Sequence, residues 1–477
     1  MSTKLEKIIS ERTELNLQLR RNRRLELLNE RRNREALTVN EIPILPTTEI
    51  ITQQCQQVVQ SNNFQIIPTL RTYLSHEKLE CSIIIQSGVI PKIIEAMHSM
   101  DHDGRIQMLL FINDFCAISQ QCVEHVLSTS LINALIQLIQ SNDLPLIIVT
   151  LTILANISGY DEQKEIINQF CVIQNCNGLL QQFNYDVTLK QTLSWLFLNM
   201  CRGRIVMNNE VLMMYVQFFF NQLNDINDKQ CISDALWAFY YLSCKKEYCS
   251  LLNNDDLQSK MLYYMKSKDI SLCIPTMRFI NNAIVVDEVI AVKFISCGLF
   301  DIIIELTKQN DVDINKELIV ILSNLAACEN NLILQQLLET GCIIGCLSMY
   351  NISESDKIVK DIEWTISNFV YGCSDELLTS LLQQKSADVI ALLCQILLKY
   401  KLEKEFDTLV SITLKGVIRI FEVTNEDQFI TDTFELHHLD EYCDELIESR
   451  NKNIKKRAQY ILDNYYYDDE DDDEDDF

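Results

Sequence analysis

Apolar residues recur along most of this chain at intervals of three and four, the spacing of one face of an α-helix. One such stretch, TLSWLFLNMCRG at 192–203, sets Trp195 and Asn199 one turn apart on an otherwise apolar helix. The arrangement returns in both directions. TLTILANISG carries Asn156, SDALWAFYYLS carries Trp237 with Tyr241, and PTMRFINNAIV carries Arg278 with Asn282. KELIVILSNLAA carries Asn324, and KDIEWTISNFVYG carries Trp364 with Asn368. Upstream, MLLFINDFCAIS puts Asp114 at the amide position; downstream, ITLKGVIRIFEV puts Arg419 there. From Asp114 to Arg419 the steps are 42, 43, 42, 41, 42, 44 and 51 residues.

A period near 42 in almost wholly helical sequence predicts an all-α solenoid of armadillo or HEAT type. A single repeat cannot bury its apolar face, so stacked repeats share one continuous core. LINALIQLIQ and LFDIIIELTK fit shorter helices between the marked ones, and the segment around KYKLEKEFD reads as a loop insertion. In such a stack the marked positions line one face as a ladder along a concave groove. An Asn amide offers donors and an acceptor that match the backbone of an extended peptide. Trp rings form slots for Lys and Arg stems and attract their cations by about 0.5–2 kcal/mol each. Asp234, Glu317 and Asp361 stand three residues before the ring position, or before its equivalent, where a carboxylate would meet the cationic tip.

Composition agrees with helices: 10 Gly and 6 Pro are too few for a turn-rich β protein. No N-terminal leader with an apolar core is found, and the apolar runs read as too interrupted to span a bilayer, so a soluble intracellular protein is expected. The 18 cysteines are scattered through apolar runs without a CxxC, as expected of reduced thiols filling a core. The six histidines form no cluster; His437 and His438 are adjacent and diverge on a helix. No nucleophile–base pair, metal spacing or phosphate loop is present, so neither an enzyme nor a cofactor is expected.

Charge changes the picture at the ends. Residues 1–34 hold ten Lys/Arg against five Asp/Glu, the last ten residues hold nine acids and a Phe, and the whole chain carries a net −26. An acidic body disfavours nucleic acid and suits a Lys/Arg-rich partner. The boundaries that follow are a basic arm at 1–45, a solenoid at 46–465 and an acidic tail at 466–477, the tail too charged to pack.

SWLFLNMCRG, LWAFYYLS, PTMRFINNAIV and EWTISNFVYG resemble successive repeats of importin-α, the nuclear import adaptor, including a Tyr in the amide place followed by an Arg in the ring place. RTELNLQLRRNRRLELLNERRN resembles that family's importin-β-binding segment, and LDEYCDELIESRNKNIKKRAQYILDNYY its final repeat. The resemblance implies a right-handed armadillo superhelix of about ten three-helix repeats. It implies binding of basic nuclear localisation signals at Asn156, Asp161, Trp195, Asn199, Asp234, Trp237, Tyr241, Arg278, Asn282, Glu317, Asn324, Asp361, Trp364 and Asn368. It assigns Arg12, Arg20, Arg21, Arg23, Arg24, Arg31, Arg32 and Arg34 to an arm that binds importin-β or folds back into the groove. Shuttling between cytoplasm and nucleus, return by an export receptor, and no catalysis, direct nucleic acid or membrane insertion are further implications. The chain departs from the family pattern early: Leu110/Asp114 keeps neither ring nor amide, Thr152/Asn156 keeps the amide alone, and Tyr160 with Asp161 stands where the family has one acid. Val320/Asn324 also lacks the ring. The other reading is an armadillo scaffold, adhesive or cytoskeletal, that binds extended peptides without a transport role.

Overall fold

Thirteen residues before an amide position, as Asp143 is before Asn156, stands a helix-starting acid: Asp101, Asp143, Asp186, Asp228, Asp269 and Asp311. Asp101 accepts from the Gly104 N–H at 2.9 Å, Asp143 from Leu146 at 3.2 Å, Asp186 from Leu189 at 2.9 Å and Asp228 from Cys231 at 3.1 Å. Each cap satisfies an orphan donor and puts negative charge at the positive end of the helix dipole. The helices so begun are α1 (His102–Ile118), α2 (Leu144–Ile157), α3 (Val187–Cys201), α4 (Lys229–Ser243), α5 (Ile270–Val286) and α6 (Val312–Ala326). Two more, α7 (Asp356–Gly372) and α8 (Asp407–Thr424), follow Ser355 and Phe406 instead.

The computed structural model describes residues 45–466, apart from 75, 77–78, 128–129, 170–171, 204–206, 310, 402 and 426. The basic arm through Arg34 and residues 467–477 of the acidic tail lie outside the described residues. Short helices fill the intervals, such as Gln120–Leu127 and Leu131–Ile139 before α2, or Glu288–Ser296 and Leu299–Thr307 before α6. Gly88, Gly178, Gly298 and Gly341, with φ between 77° and 93°, make the corner between first and second short helices. That left-handed conformation costs an L-residue roughly 1–2 kcal/mol, which is why glycine recurs there. Counting Ile67–Leu74 and Lys452–Tyr465, there are ten third helices and no strand among the described residues. The architecture is the expected all-α solenoid of three-helix armadillo repeats.

Two compact units divide between Leu242 and Ser243. In the first, Ile67–Leu74 packs on α1, α1 on α2 and α2 on α3. In the second, α5 packs on α6, α6 on α7, α7 on α8 and α8 on Lys452–Tyr465. The thiols expected to fill the core do so: Cys116, Cys201, Cys394 and most others described are buried. Burial pushes Cys176 and Cys394 up to about 12.

Two expectations change in the second unit. Of KYKLEKEFD, Lys399 and Tyr400 end a helix, Lys404–Phe406 is a 3-10 segment and Asp407 begins α8. The helix before it runs 26 residues, Asp375–Tyr400, with a break at Lys385 (φ −150°, ψ 35°). By length and composition alone this helix could cross a membrane, contrary to the reading that every apolar run is too interrupted. It packs on α8 and on Gln428–Leu436, and half of its most apolar stretch is buried. The length arises because two helical segments meet at Lys385 with no loop between them, and the break in backbone conformation kinks the run there.

Gly345 lies inside Cys342–Tyr350, where a Cβ would meet nothing within 4 Å. Gly345→Ala is therefore expected to stabilise the chain by about 1 kcal/mol, the helix propensity difference. Gly416 in α8 is the control, because its Cβ would sit 3.1 Å from Val370 Cγ1. Urea midpoints should rise for the first variant and stay or fall for the second; equal shifts would contradict this account.

Candidate functional site

Side chains at the amide positions reach back onto the preceding long helix. Asn199 Nδ2 donates to the Ala155 carbonyl in the last turn of α2 at 2.9 Å, and Asn156 Nδ2 to Asn113 Oδ1 of α1 at 3.0 Å. In the second unit Asn282 Nδ2 donates to Ser243 Oγ at 3.0 Å, and Asn324 donates to Asn281 Oδ1. Arg419 donates to the Val370 and Tyr371 carbonyls of α7 at 3.1 and 2.8 Å and to Asp375 at 2.6 Å. The last carbonyls of a helix have no partner within it, so Asn199 and Arg419 complete the helix behind them as well as marking their own. These amides do not cap their own helices. Each ties one repeat to the one before.

Asn368 differs. Its side chain, 9% exposed on α7, makes no hydrogen bond among the described residues. One turn earlier the Trp364 ring stands half-buried. Asp361, a further three residues back, is buried. This rung holds ring, amide and acid on one face with the amide's donors uncommitted.

The other rungs are closed to different degrees. Trp195 is 1% exposed, so a peptide reaches its ring only if neighbouring groups move aside. Trp237 is half-buried, with the Tyr241 ring centroid 6.1 Å away and Tyr240 edge-on at 5.8 Å. In the second unit the Arg278 guanidinium grips Glu317 through Nε at 2.9 Å and Nη2 at 2.7 Å. Two residues expected to face a ligand therefore also face each other, and the Glu317 charge is largely neutralised. Asp234 is buried and accepts from Gln230 Nε2 at 3.0 Å. Asp161 is exposed and paired with Lys164, whose buried ammonium also donates to the Arg202 carbonyl at 2.8 Å. At the ends, Arg71 Nε meets Asp114 at 2.5 Å, and Lys415 lies 4.3 Å over the Tyr371 ring. Burial pushes the Asp114 carboxyl up, and Arg71 only partly opposes it.

The sequence reading missed the polar partners behind the ladder. Asn113 and Asn281 each precede an amide position, so the pairs Asn113-Asp114 and Asn281-Asn282 were visible signals. The Asp thirteen residues upstream of the first six positions was another. Arg71, Gln230 and Lys164 carried no such signal.

Comparison with protein-family models gives no match, and comparison with curated protein sequences gives none. Among solved structures, an engineered protein is similar over 87% of this chain and 99% of its own, with TM-score 0.71 and 13% identity. A designed armadillo repeat protein matches 52% of this chain and 98% of its own, at TM-score 0.44 and 18% identity. Another designed armadillo repeat protein, solved in complex with the peptide (KR)4, matches the same share of this chain at TM-score 0.43 and 17% identity. At these identities the likeness of the first extends to the fold alone: this chain is an all-helical repeat solenoid.

Proposed function

We propose that this chain is an importin-α-like adaptor that binds extended Lys/Arg-rich peptides along its ladder and recruits importin-β through residues 1–45. The observation that carries the peptide half is the Trp364/Asn368 rung, where a half-buried ring and an uncommitted amide share one helix face with Asp361. The transport half rests on the order of ladder residues and on the basic arm, ten Lys/Arg in 34 residues. In this reading cargo carries a basic nuclear localisation signal, and the adaptor shuttles between cytoplasm and nucleus and returns with an export receptor. No catalytic step is involved. The cluster Arg31-Arg32-Asn33-Arg34 competes with cargo, because a tethered segment acts at up to millimolar effective concentration.

A pull-down from cell extract tests this, with the full chain and with a chain lacking residues 1–45. The full chain should capture importin-β in a salt-sensitive manner, since exposed charge pairs are screened over about 10 Å at 0.1 M salt. The shortened chain should lose it and gain basic cargo. Capture of basic peptides without importin-β by either chain would leave a peptide-binding scaffold. Failure to bind basic peptides at all would remove both readings.

A further inference from the structure

A cavity of about 780 Å³ opens between helix Leu299–Thr307, α6 and helix Cys342–Tyr350. The repeat register accounts for part of it. Counting from the left-handed glycine that starts each second short helix, the first and fifth positions hold Val89 and Ile93, Leu179 and Phe183, and Leu299 and Ile303. After Gly341 the same positions hold Cys342 and Cys346, and the fourth holds Gly345 where the repeat before has Ile302. Three side chains are cut back together at one place. Interiors are close-packed, so atoms missing from three adjacent positions leave space that their neighbours do not refill.

The space has the size of a small-molecule site, roughly 300–1,000 Å³. Its walls are mostly apolar, with Ile303, Ile319, Leu322 and Ile358 among them. Ile352, 79% exposed, and Val312, 54% exposed, carry the apolar lining out to solvent. Hydroxyls of Thr307, Thr340, Ser348, Ser353 and Ser355 interrupt it, and two further polar groups bear on the choice of ligand. Asn315 Oδ1 is buried in the wall and has no hydrogen-bond partner among the described residues. A buried acceptor left unsatisfied is costly, and a turn of the Asn315 side chain that brings it to a ligand N–H would remove that cost. Glu354 is the one charged residue among the described residues of the lining, so the mouth disfavours anions. No ladder residue takes part, and the site is independent of the proposed peptide groove.

We propose that this cavity binds a small apolar amine or amide, uncharged or cationic, whose N–H donates to Asn315 Oδ1. The probe is N-phenylnaphthylamine, whose fluorescence rises in apolar surroundings, titrated into the full chain. Saturable binding at one equivalent is expected. Anilinonaphthalene sulfonate has the same rings and N–H plus an anion, and should bind at least about ten-fold more weakly. Gly345→Leu combined with Cys346→Leu puts two larger side chains into the space and should weaken the neutral probe by more than about ten-fold, with the helical circular dichroism retained. Should that variant not fold, Asn315→Ala carries the test, with an expected loss of about five-fold. Equal binding of the two probes overturns the proposal, as does neutral-probe binding untouched by the folded filling variant or by Asn315→Ala.

Discussion

Replacing Lys190 by Met is expected to cost about 3 kcal/mol of stability, within the range for breaking a buried ion pair from one side. Lys190 lies in the first turn of α3, 10% exposed, and its ammonium reaches forward to the next repeat. There it stands 2.6 Å from Asp225 Oδ2 and 2.9 Å from Asp228 Oδ2. Asp225 is 42% exposed and can be hydrated when Lys190 is gone. Asp228 is 8% exposed and cannot, and it is also the cap of α4 through the Cys231 N–H. The loss thus falls on a buried carboxylate that the fold needs in place. Lys190→Met with Asp228→Asn should recover more than half of it, because Asn also caps and carries no charge. Urea titrations of the two variants and the parent give the comparison; a double variant no better than the single would refute the buried-charge explanation.

The same cluster predicts a pH dependence. Burial raises the Asp228 carboxyl, but Lys190 and the Cys231 N–H more than offset this and the net shift is downward. The Lys190 hydrogen bond likewise lowers Asp225. For Lys190, burial pulls the ammonium down and the two aspartates push it up, with a net rise. Carboxyls depressed by folding stabilise the chain fully above their unfolded values, about 4, and less as pH falls through their folded ones. The raised lysine contributes below its unfolded value and loses its contribution as pH rises through its folded one. Acid sensitivity below about pH 4 should therefore be blunted in Lys190→Met.

How much of this was readable beforehand depends on whether a feature repeats. The ladder was readable because Trp/Asn spacing persists at a period near 42, and only stacked helices make that period physical. The capping aspartates repeat in the same register and could have been read too. What did not repeat was hidden. Arg278 and Glu317 look like two ligand contacts in the sequence, yet they lie in successive repeats, and stacking brings them to 2.7 Å. Trp195 and Trp364 are equivalent in register, but one is 1% exposed and the other half-buried, a difference of surroundings rather than of motif. The cavity beside Cys342–Tyr350 required three small residues to fall on one wall, which a single-helix reading registers only as a mild loss of hydrophobicity.

In a chain lacking residues 1–45, Trp364→Ala is expected to weaken a Lys/Arg-rich peptide by about 1–2 kcal/mol, roughly five- to thirty-fold, and Trp195→Ala by less. A cation–π slot contributes only where the ring face can be reached. Trp364 offers a partly exposed ring, and Asn368 one turn on has an amide not spent on the preceding helix. Asn199 beside Trp195 already holds the Ala155 carbonyl at 2.9 Å, so a peptide must compete with that bond or use the remaining N–H. The neighbouring ring positions reinforce the contrast. Thr152, one repeat before Trp195, forms no slot and turns its hydroxyl onto the Ile148 carbonyl at 2.8 Å. Val320, one repeat before Trp364, forms none either, but Asp361 supplies a carboxylate on the Trp364 helix itself. Calorimetry of the two single variants, each checked by circular dichroism for intact helix, separates the possibilities. Should Trp195→Ala abolish binding while Trp364→Ala leaves it unchanged, exposure of the ring does not govern the ladder, and the groups around Trp195 must yield to a peptide at little cost.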